Sequence, residues 1–355
     1  MSRSSSVTAV AAAAAAAAVV VFLAWRSRQR RRAAEWLQFL ELTAKYSDSI
    51  DLTATEAALA ATPPPMLAAR ASAVSGRPWY REAIITDCSA ACGLNTAAGS
   101  LDAVLGLHLG DAKNPPESLL RLRRPSPTAP WEPVAGCLLK RSLRFTLLAF
   151  CWLDDGFAPR SAALLLGCGG GALLHFWQRC VRGGDSLRCD ACELDAAVIE
   201  LAREYLCLGA CETTGGGARI SVADGAEVVA SAADASYALV VCDLDMGTLL
   251  RDAAAAQHMR RILTESGVLV VNDYSEDAPS DRLQATLRAV RHLRDAGFEE
   301  IHVLRTTPHN SMLIAPVAAR GWGRDELAAA AARLDLGVDL AALLGEVPER
   351  RYSVF

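Results

Sequence analysis

The sequence predicts an α/β fold built on a doubly wound, mostly parallel sheet whose last strand is antiparallel. Between residues 136 and 355, short apolar runs alternate with stretches that repeat apolar residues at helical spacing, as in consecutive β–α units. The last two apolar runs are separated only by Thr307, Pro308 and His309. So short a connection has no room for a crossover helix, and these two strands must therefore pair antiparallel.

Seven apolar runs are predicted as strands, at 162–167, 186–194, 218–223, 237–243, 267–272, 299–306 and 310–317. The predicted helices are 138–153, 171–181, 195–208, 225–232, 248–263 and 281–297. Five parallel-type units followed by a terminal hairpin strand give the seven-strand, Rossmann-like plan of class I methyltransferase folds. A dinucleotide-binding domain more often has six parallel strands.

A glycine-rich loop follows the first predicted strand. Gly167, Gly169 and Ala172 fit the dinucleotide pattern G-x-G-x-x-G/A. Gly167, Gly169 and Gly171 fit the G-x-G-x-G pattern of adenosylmethionine-binding folds equally well. The loop alone leaves a dinucleotide, a nucleoside triphosphate and an adenosyl group as candidate ligands.

The residues that end the second and third strands favour the adenosyl group, because ligands of such sheets bind outside the carboxyl ends of the strands. Glu193 is placed to accept both ribose hydroxyls. Asp224 is placed to accept from the exocyclic amine of adenine, and Gly225 lets the ring approach. A helix N-cap is the alternative role for Asp224, as for Asp195 and Asp273. The Ala-Asp-Gly triplet belongs to adenosyl recognition, since a dinucleotide gives it no role.

The fourth and fifth strands end in polar residues that are candidates for catalysis. Asp243 and Asp245 follow the fourth strand, and Asn272 ends the fifth. We expect Asp243 to orient an acceptor amine or accept its proton, with Asp245 and Asn272 in secondary roles.

Composition limits the classes of partner and ligand. The 355 residues are 52% hydrophobic and carry a net charge of −4, although no acid precedes Glu35. The folded part is therefore acidic, which argues against nucleic-acid binding. Eleven cysteines, an odd number, fit a reducing compartment. Cys189 and Cys192 form a C-x-x-C without the second pair that a zinc site needs, so no metal site is expected.

The N-terminal segment has the pattern of a membrane anchor. Residues 7–25 are uncharged and long enough to cross a bilayer as a helix, and arginines follow up to residue 32. The positive-inside rule then predicts a single-pass protein with its catalytic domain facing the cytosol. The alternative is a cleaved mitochondrial or plastid presequence, since the segment is rich in Ser, Ala and Arg.

Three regions are expected along the chain. Residues 1–32 are the anchor with its basic flank, and residues 136–355 form the ligand-binding domain. Residues 33–135 are expected to be a helical and proline-rich linker, with a small subdomain as an alternative; 32–46 has helical spacing and 82–88 resembles a strand. The sequence leaves a homodimer open.

The glycine loop, the segment 192–205, the triplet after the third strand and the segment 237–245 together resemble the spermidine synthase superfamily. Within it, they are more similar to the C-terminal domain of the eukaryotic methyltransferase-like enzymes that act on elongation factor 1A. The resemblance covers roughly residues 138–355. It implies S-adenosyl-L-methionine as the cofactor and a protein or small-molecule amine as the methyl acceptor.

Two departures separate this chain from aminopropyltransferases that resemble spermidine synthase. Those enzymes carry an acid inside the glycine loop, where this chain has Gly170, and two acids three residues apart after the fourth strand. The resemblance therefore favours a methyltransferase. An aminopropyltransferase and a membrane-tethered protein with a degenerate adenosyl site remain the alternatives.

Overall fold

A computed structural model describes residues 64–72, 74, 81–90, 94, 100–110, 116–153, 156–158, 161–213, 217–244, 250, 252–274, 279–307, 310–336, 338–347 and 352–355. All of them belong to one compact unit, Asp51–Phe355. The expected anchor at 7–25, the expected helix at 32–46 and Asp245 lie outside the described residues. Within the described part, no helix has both the length and the apolar character needed to span a bilayer.

The first described elements form an antiparallel five-stranded sheet in the order β1-β2-β3-β4-β5. Its strands are β1 Met66–Ala71, β2 Glu82–Asp87, β3 Asp102–Leu109, β4 Ser118–Arg123 and β5 Glu132–Pro133. This sheet lies between residues 66 and 133, in the region for which a helical and proline-rich linker, with a small subdomain as the alternative, was expected. Of its strands, only β2 was predicted.

The signal for β4 was hidden by its arginines. Leu120 and Leu122 are buried, whereas Arg121 and Arg123 lie on the opposite face and form ion pairs with Asp102 of β3. Such alternation over six residues is typical of a half-buried strand. The prolines around it favoured a loop interpretation, although they lie outside the strand.

A second sheet has eight strands in the order β13-β11-β12-β10-β9-β6-β7-β8. Its strands are β6 Ala162–Leu166, β7 Arg188–Glu193, β8 Ala218–Val222, β9 Tyr237–Cys242, β10 Leu263–Tyr274, β11 His302–Thr307, β12 Asn310–Pro316 and β13 Tyr352–Val354. Strands β6 to β10 pair in parallel, and β12 is antiparallel to both β10 and β11. The predicted antiparallel hairpin is confirmed, and the three-residue edge strand β13 adds an eighth strand to the expected seven.

The helices lie between these strands and after them. They are α1 Arg141–Thr146, α2 Ala172–Cys180, α3 Ala196–Tyr205, α4 Leu208–Thr213, α5 Gly225–Ser231, α6 Ala253–Ile262, α7 Pro279–Asp295, α8 Arg324–Ala331 and α9 Leu340–Gly345. The predicted helix 195–208 ends early, at Tyr205, because Cys207 adopts a non-helical φ of 57° before α4 begins at Leu208. The predicted helix 138–153 is α1 followed by a 3₁₀ segment, Leu147–Cys151.

The two sheets share a hydrophobic core. Ile85, Leu107 and Leu120 of the five-stranded sheet belong to the same buried cluster as Leu165 of β6 and Leu173 of α2. The other face of the large sheet packs against α5, α6 and α7 in a separate cluster. The five-stranded sheet therefore packs on the face of the large sheet that is covered by α2 and α3.

Candidate functional site

The glycine loop leaves β6 in a conformation that requires glycine. Gly167, Gly169 and Gly171 all have positive φ angles, of 83°, 48° and 77°. A Cβ atom on Gly167 would lie 2.4 Å from the backbone oxygen of Asp243, so a side chain there would collide with the end of β9. The loop follows β6, as the sequence predicted, and it also passes close to the carboxyl end of β9.

Glu193 ends β7 beside this loop and is held by backbone amides. Gly169 N–H donates to its Oε2 at 3.0 Å, and the N–H of Leu194 donates to its Oε1 at 2.8 Å. Burial raises the pKa of the carboxyl group, and the backbone bonds lower it in part. Each carboxylate oxygen has a further lone pair, so the fixed carboxylate can accept from two adjacent hydroxyls.

Asp224 and Gly225 follow β8, and Asp224 has the alternative role that the sequence allowed. Its Oδ1 accepts from the N–H of Ala226 at 2.7 Å and caps α5. Gly225 is buried, and a Cβ atom there would lie 2.7 Å from Cδ1 of Leu244. The cap fixes Asp224 at the edge of the sheet, where adenine was expected, and a carboxylate has a second oxygen for a ligand.

Asp243 and Asn272 meet across β9 and β10. Asn272 Nδ2 donates to Oδ1 of Asp243 at 2.6 Å. Burial raises the pKa of Asp243, while Lys140 and the bond from Asn272 lower it in part. Asn272 is buried, and none of the described residues donates to its Oδ1. The two side chains therefore form a buried, hydrogen-bonded pair at the carboxyl ends of β9 and β10.

Two further aspartates that were weighed as caps have different roles. Asp195 caps α3 by accepting from the N–H of Ala197 at 2.9 Å, as the alternative predicted. Asp273 lies in β10 and accepts from Oγ1 of Thr286 at 2.8 Å, so it is not the N-cap of a helix. Asp245, outside the described residues, stays a prediction.

The five-stranded sheet contributes residues that the sequence analysis missed. Ser118, at the start of β4, accepts a 2.9 Å bond from the N–H of Gly170 inside the glycine loop. The adjacent Glu117 holds Lys140, whose Nζ donates to its backbone oxygen at 2.8 Å and to its Oε2 at 3.2 Å. No local pattern marks these residues, because their partners lie far along the chain.

The cysteine pair on β7 does not form a metal site. Cys189 and Cys192 are buried on opposite faces of the sheet, in different hydrophobic clusters. Side chains three residues apart on a strand point away from each other, so the two thiols cannot share one ion. Among the described residues, no group of three metal-binding side chains comes together.

Comparisons with known proteins support the fold. No family model matches the chain, and no curated protein does. A probable spermidine synthase from Corynebacterium glutamicum is similar in structure, with a TM-score of 0.54 and 15% identity over 77% of this chain and 89% of that one. A spermidine synthase from Thermotoga maritima has a TM-score of 0.45 and 19% identity over 72% of this chain and 73% of that one.

A SAM-dependent methyltransferase from Aquifex aeolicus is also found, with a TM-score of 0.35 and 14% identity over 49% of this chain and 93% of that one. The likeness to the Corynebacterium protein spans nearly the whole of that chain. It shows that this protein has the α/β, Rossmann-like fold of that protein.

Proposed function

We propose that the protein is an S-adenosyl-L-methionine-dependent methyltransferase that acts on an amine of a protein or small molecule. The adenosyl part of the donor would lie along the carboxyl ends of β6 to β8. Glu193 would accept from the ribose hydroxyls, and Asp224 and Gly225 would face the adenine. Elongation factor 1A, on which the enzymes that the sequence resembles act, is one candidate for a protein acceptor.

The packing around Gly170 is the observation that supports intact S-adenosylmethionine, rather than its decarboxylated form, as the donor. A Cβ atom at this position would lie 2.7 Å from Cδ1 of Leu206 and 2.8 Å from Cβ of Ser118. The loop therefore has little room for an acidic side chain. Without an acid here, the loop has no charge to repel the carboxylate of intact S-adenosylmethionine.

The proposed reaction is an in-line displacement at the methyl carbon. The amine nitrogen forms a bond to the methyl group while the carbon–sulfur bond breaks, and S-adenosylhomocysteine leaves. The acceptor must also lose a proton, and Asp243 is the proposed base. Its Oδ1 is held by Asn272, which leaves Oδ2 for the acceptor.

An aminopropyltransferase is the second candidate, favoured by the fold shared with a probable spermidine synthase. It differs from the first candidate in its donor, which is decarboxylated S-adenosylmethionine. A tethered protein with a degenerate site is the third, and it would bind neither donor.

Calorimetric titration with both donors separates these functions. We expect tighter binding of intact S-adenosylmethionine and transfer of a tritiated methyl group to a component of a cell lysate. Tighter binding of the decarboxylated donor would favour the aminopropyltransferase, and no binding of either would favour the degenerate site.

The matched variants Gly170→Asp and Gly170→Ala test the role of the loop. Both crowd Leu206 and Ser118, but only Gly170→Asp adds a charge. We expect Gly170→Asp to shift the ratio of the two affinities toward the decarboxylated donor by about tenfold relative to Gly170→Ala, as for a partly screened like-charge pair. Equal ratios in the two variants would contradict the proposed basis of donor choice.

A further inference from the structure

A lysine lies next to the contact between the small sheet and the glycine loop. Lys140 is held by Glu117 through bonds to both its backbone oxygen and its carboxylate, at 2.8 and 3.2 Å. Glu117 directly precedes Ser118, which bonds the glycine loop, so the ammonium group of Lys140 lies close to that loop. The positive charge of Lys140 also lowers the pKa of Asp243 in part.

Packing around both ends of the pair fixes this lysine. Leu139 packs against the small buried cluster of Cys88 and Val104 in the five-stranded sheet, and Lys140 directly precedes α1. On the other side, Glu117 adjoins Ser118, whose hydroxyl accepts from the glycine loop. Glu117 thus positions the ammonium group one residue away from Ser118, which joins the five-stranded sheet to the glycine loop.

The charges explain what the lysine would do to a cationic acceptor. A dication needs several carboxylates to replace its hydration when it enters a partly buried site. Glu117 is already paired with Lys140, and Lys140 also offsets the charge of Asp243. A diamine would have to displace Lys140 or bind next to a like charge.

We propose that Lys140 determines acceptor specificity: held by Glu117 next to the glycine loop, it excludes diamines from the site of Asp243 and selects an acceptor that presents a single amine. This inference rests on the transferase function proposed above and names the substrate class of the same site. It assigns to Lys140 and Glu117 a role in selection, while Asp243 keeps its role at the reacting nitrogen.

The test is a calorimetric titration of putrescine at low ionic strength into the wild type, Lys140→Met and Lys140→Arg. Each is titrated alone and after saturation with S-adenosylhomocysteine. We expect Lys140→Met to bind putrescine at least about tenfold more tightly than the wild type, because a like charge has been removed from a partly buried site. Lys140→Arg keeps the charge and should bind as weakly as the wild type.

Two double variants test which carboxylates are responsible for the tighter binding of putrescine. Asp243→Asn or Glu117→Gln, each combined with Lys140→Met, should remove most of the gain because each deletes one of the two carboxylates. A melting curve shows whether Lys140→Met folds. If it does not, Lys140→Gln takes its place.

Several results would overturn the proposal. They are equal putrescine affinity in the wild type and Lys140→Met, an equal gain in Lys140→Arg, and a gain that persists in both double variants. S-adenosylhomocysteine binding is read separately in every variant. If it is absent in the wild type, the proposed transferase function fails, while the putrescine titrations without it still decide the role of Lys140.

Discussion

Glu193 illustrates how single residues prepare this site before a ligand enters. Two backbone amides fix both of its oxygens, and its position beside the loop is set by the end of β7. A carboxylate fixed in this way loses little side-chain entropy when it accepts hydroxyls. The sequence could predict the position of this residue because that position depends only on a strand end and a glycine loop.

Replacing Glu193 should weaken adenosyl binding. Glu193→Ala removes the acceptor, and Glu193→Gln replaces one oxygen by an amide that cannot accept from a backbone N–H. Hydrogen bonds to charged groups contribute about 1.5–3 kcal/mol, so we expect S-adenosylhomocysteine to bind about tenfold to a hundredfold more weakly. Calorimetry measures this, with Glu227→Gln on the exposed face of α5 as the control. Unchanged affinity would mean that the ligand does not use Glu193.

Asp243 should show opposite effects on stability and activity. Burial raises its pKa, so its contribution to stability is present below the ordinary value of 3.8 and is lost as pH rises through the folded-state pKa. At neutral pH the ionised group therefore destabilises the fold. We expect Asp243→Asn to raise the melting temperature by about 1–3 °C.

The same substitution should suppress methyl transfer to the labelled lysate component while S-adenosylhomocysteine still binds. In the wild type, the transfer rate should fall as pH drops through the raised pKa of Asp243, because the base must be ionised. Full turnover by Asp243→Asn would exclude Asp243 as the base. If Asp243→Asn instead melts at a lower temperature than the wild type at neutral pH, ionised Asp243 does not destabilise the fold.

At the scale of elements, the sequence predicted the strands of the large sheet except β13 and missed four of the five strands of the small sheet. Strand β6 has all five residues buried, and its apolar run is unmistakable. Strand β1 buries no residue fully, and β4 alternates leucine with arginine. These strands are stabilised by pairing with neighbours and by the shared core, which a single short pattern does not reveal.

The edge strand β13 depends on a buried polar cluster. Tyr352 lies 2.5 Å from Nδ1 of His302, and Glu300 lies 2.6 Å from Nε2 of the same ring. Burial lowers the pKa of His302 despite the neighbouring carboxylate. The hydroxyl of Tyr352 thus joins the three-residue strand to His302 of β11.

Tyr352→Phe should loosen this strand. The substitution leaves a buried ring nitrogen of His302 without its partner, which costs about 1–3 kcal/mol. Hydrogen exchange should then be faster at the amides of Ile301 and Phe355, which bond each other's backbone oxygens at 3.0 and 2.9 Å. Ser353→Ala, in the same strand with its side chain on the other face, is the control. Equal exchange rates in Tyr352→Phe and the wild type would show that the hydroxyl does not hold β13.

At the scale of the whole molecule, the site depends on two sheets that are distant in sequence. The glycine loop, Glu193, Asp243 and Asn272 come from the large sheet, and all four were predicted from strand ends. Ser118 and its partner Gly170 are separated by 52 residues. Sequence analysis missed Ser118, Glu117 and Lys140, because their positions follow from how the sheets pack rather than from any local pattern.

The bond from Gly170 to Ser118 should transmit ligand binding from one sheet to the other. A donor that fixes the glycine loop also fixes the N–H of Gly170, and this stabilises the start of β4. S-adenosylhomocysteine should therefore slow hydrogen exchange in β4 of the wild type, although the proposed contacts all lie on the large sheet. In Ser118→Ala the N–H loses its acceptor, so the added protection of β4 should disappear and the ligand should bind about twofold to tenfold more weakly. Ser126→Ala, in the exposed connection between β4 and β5, should behave as the wild type in both measurements. Protection of β4 that survives in Ser118→Ala would mean that the sheets are coupled through their shared hydrophobic core instead of through this hydroxyl.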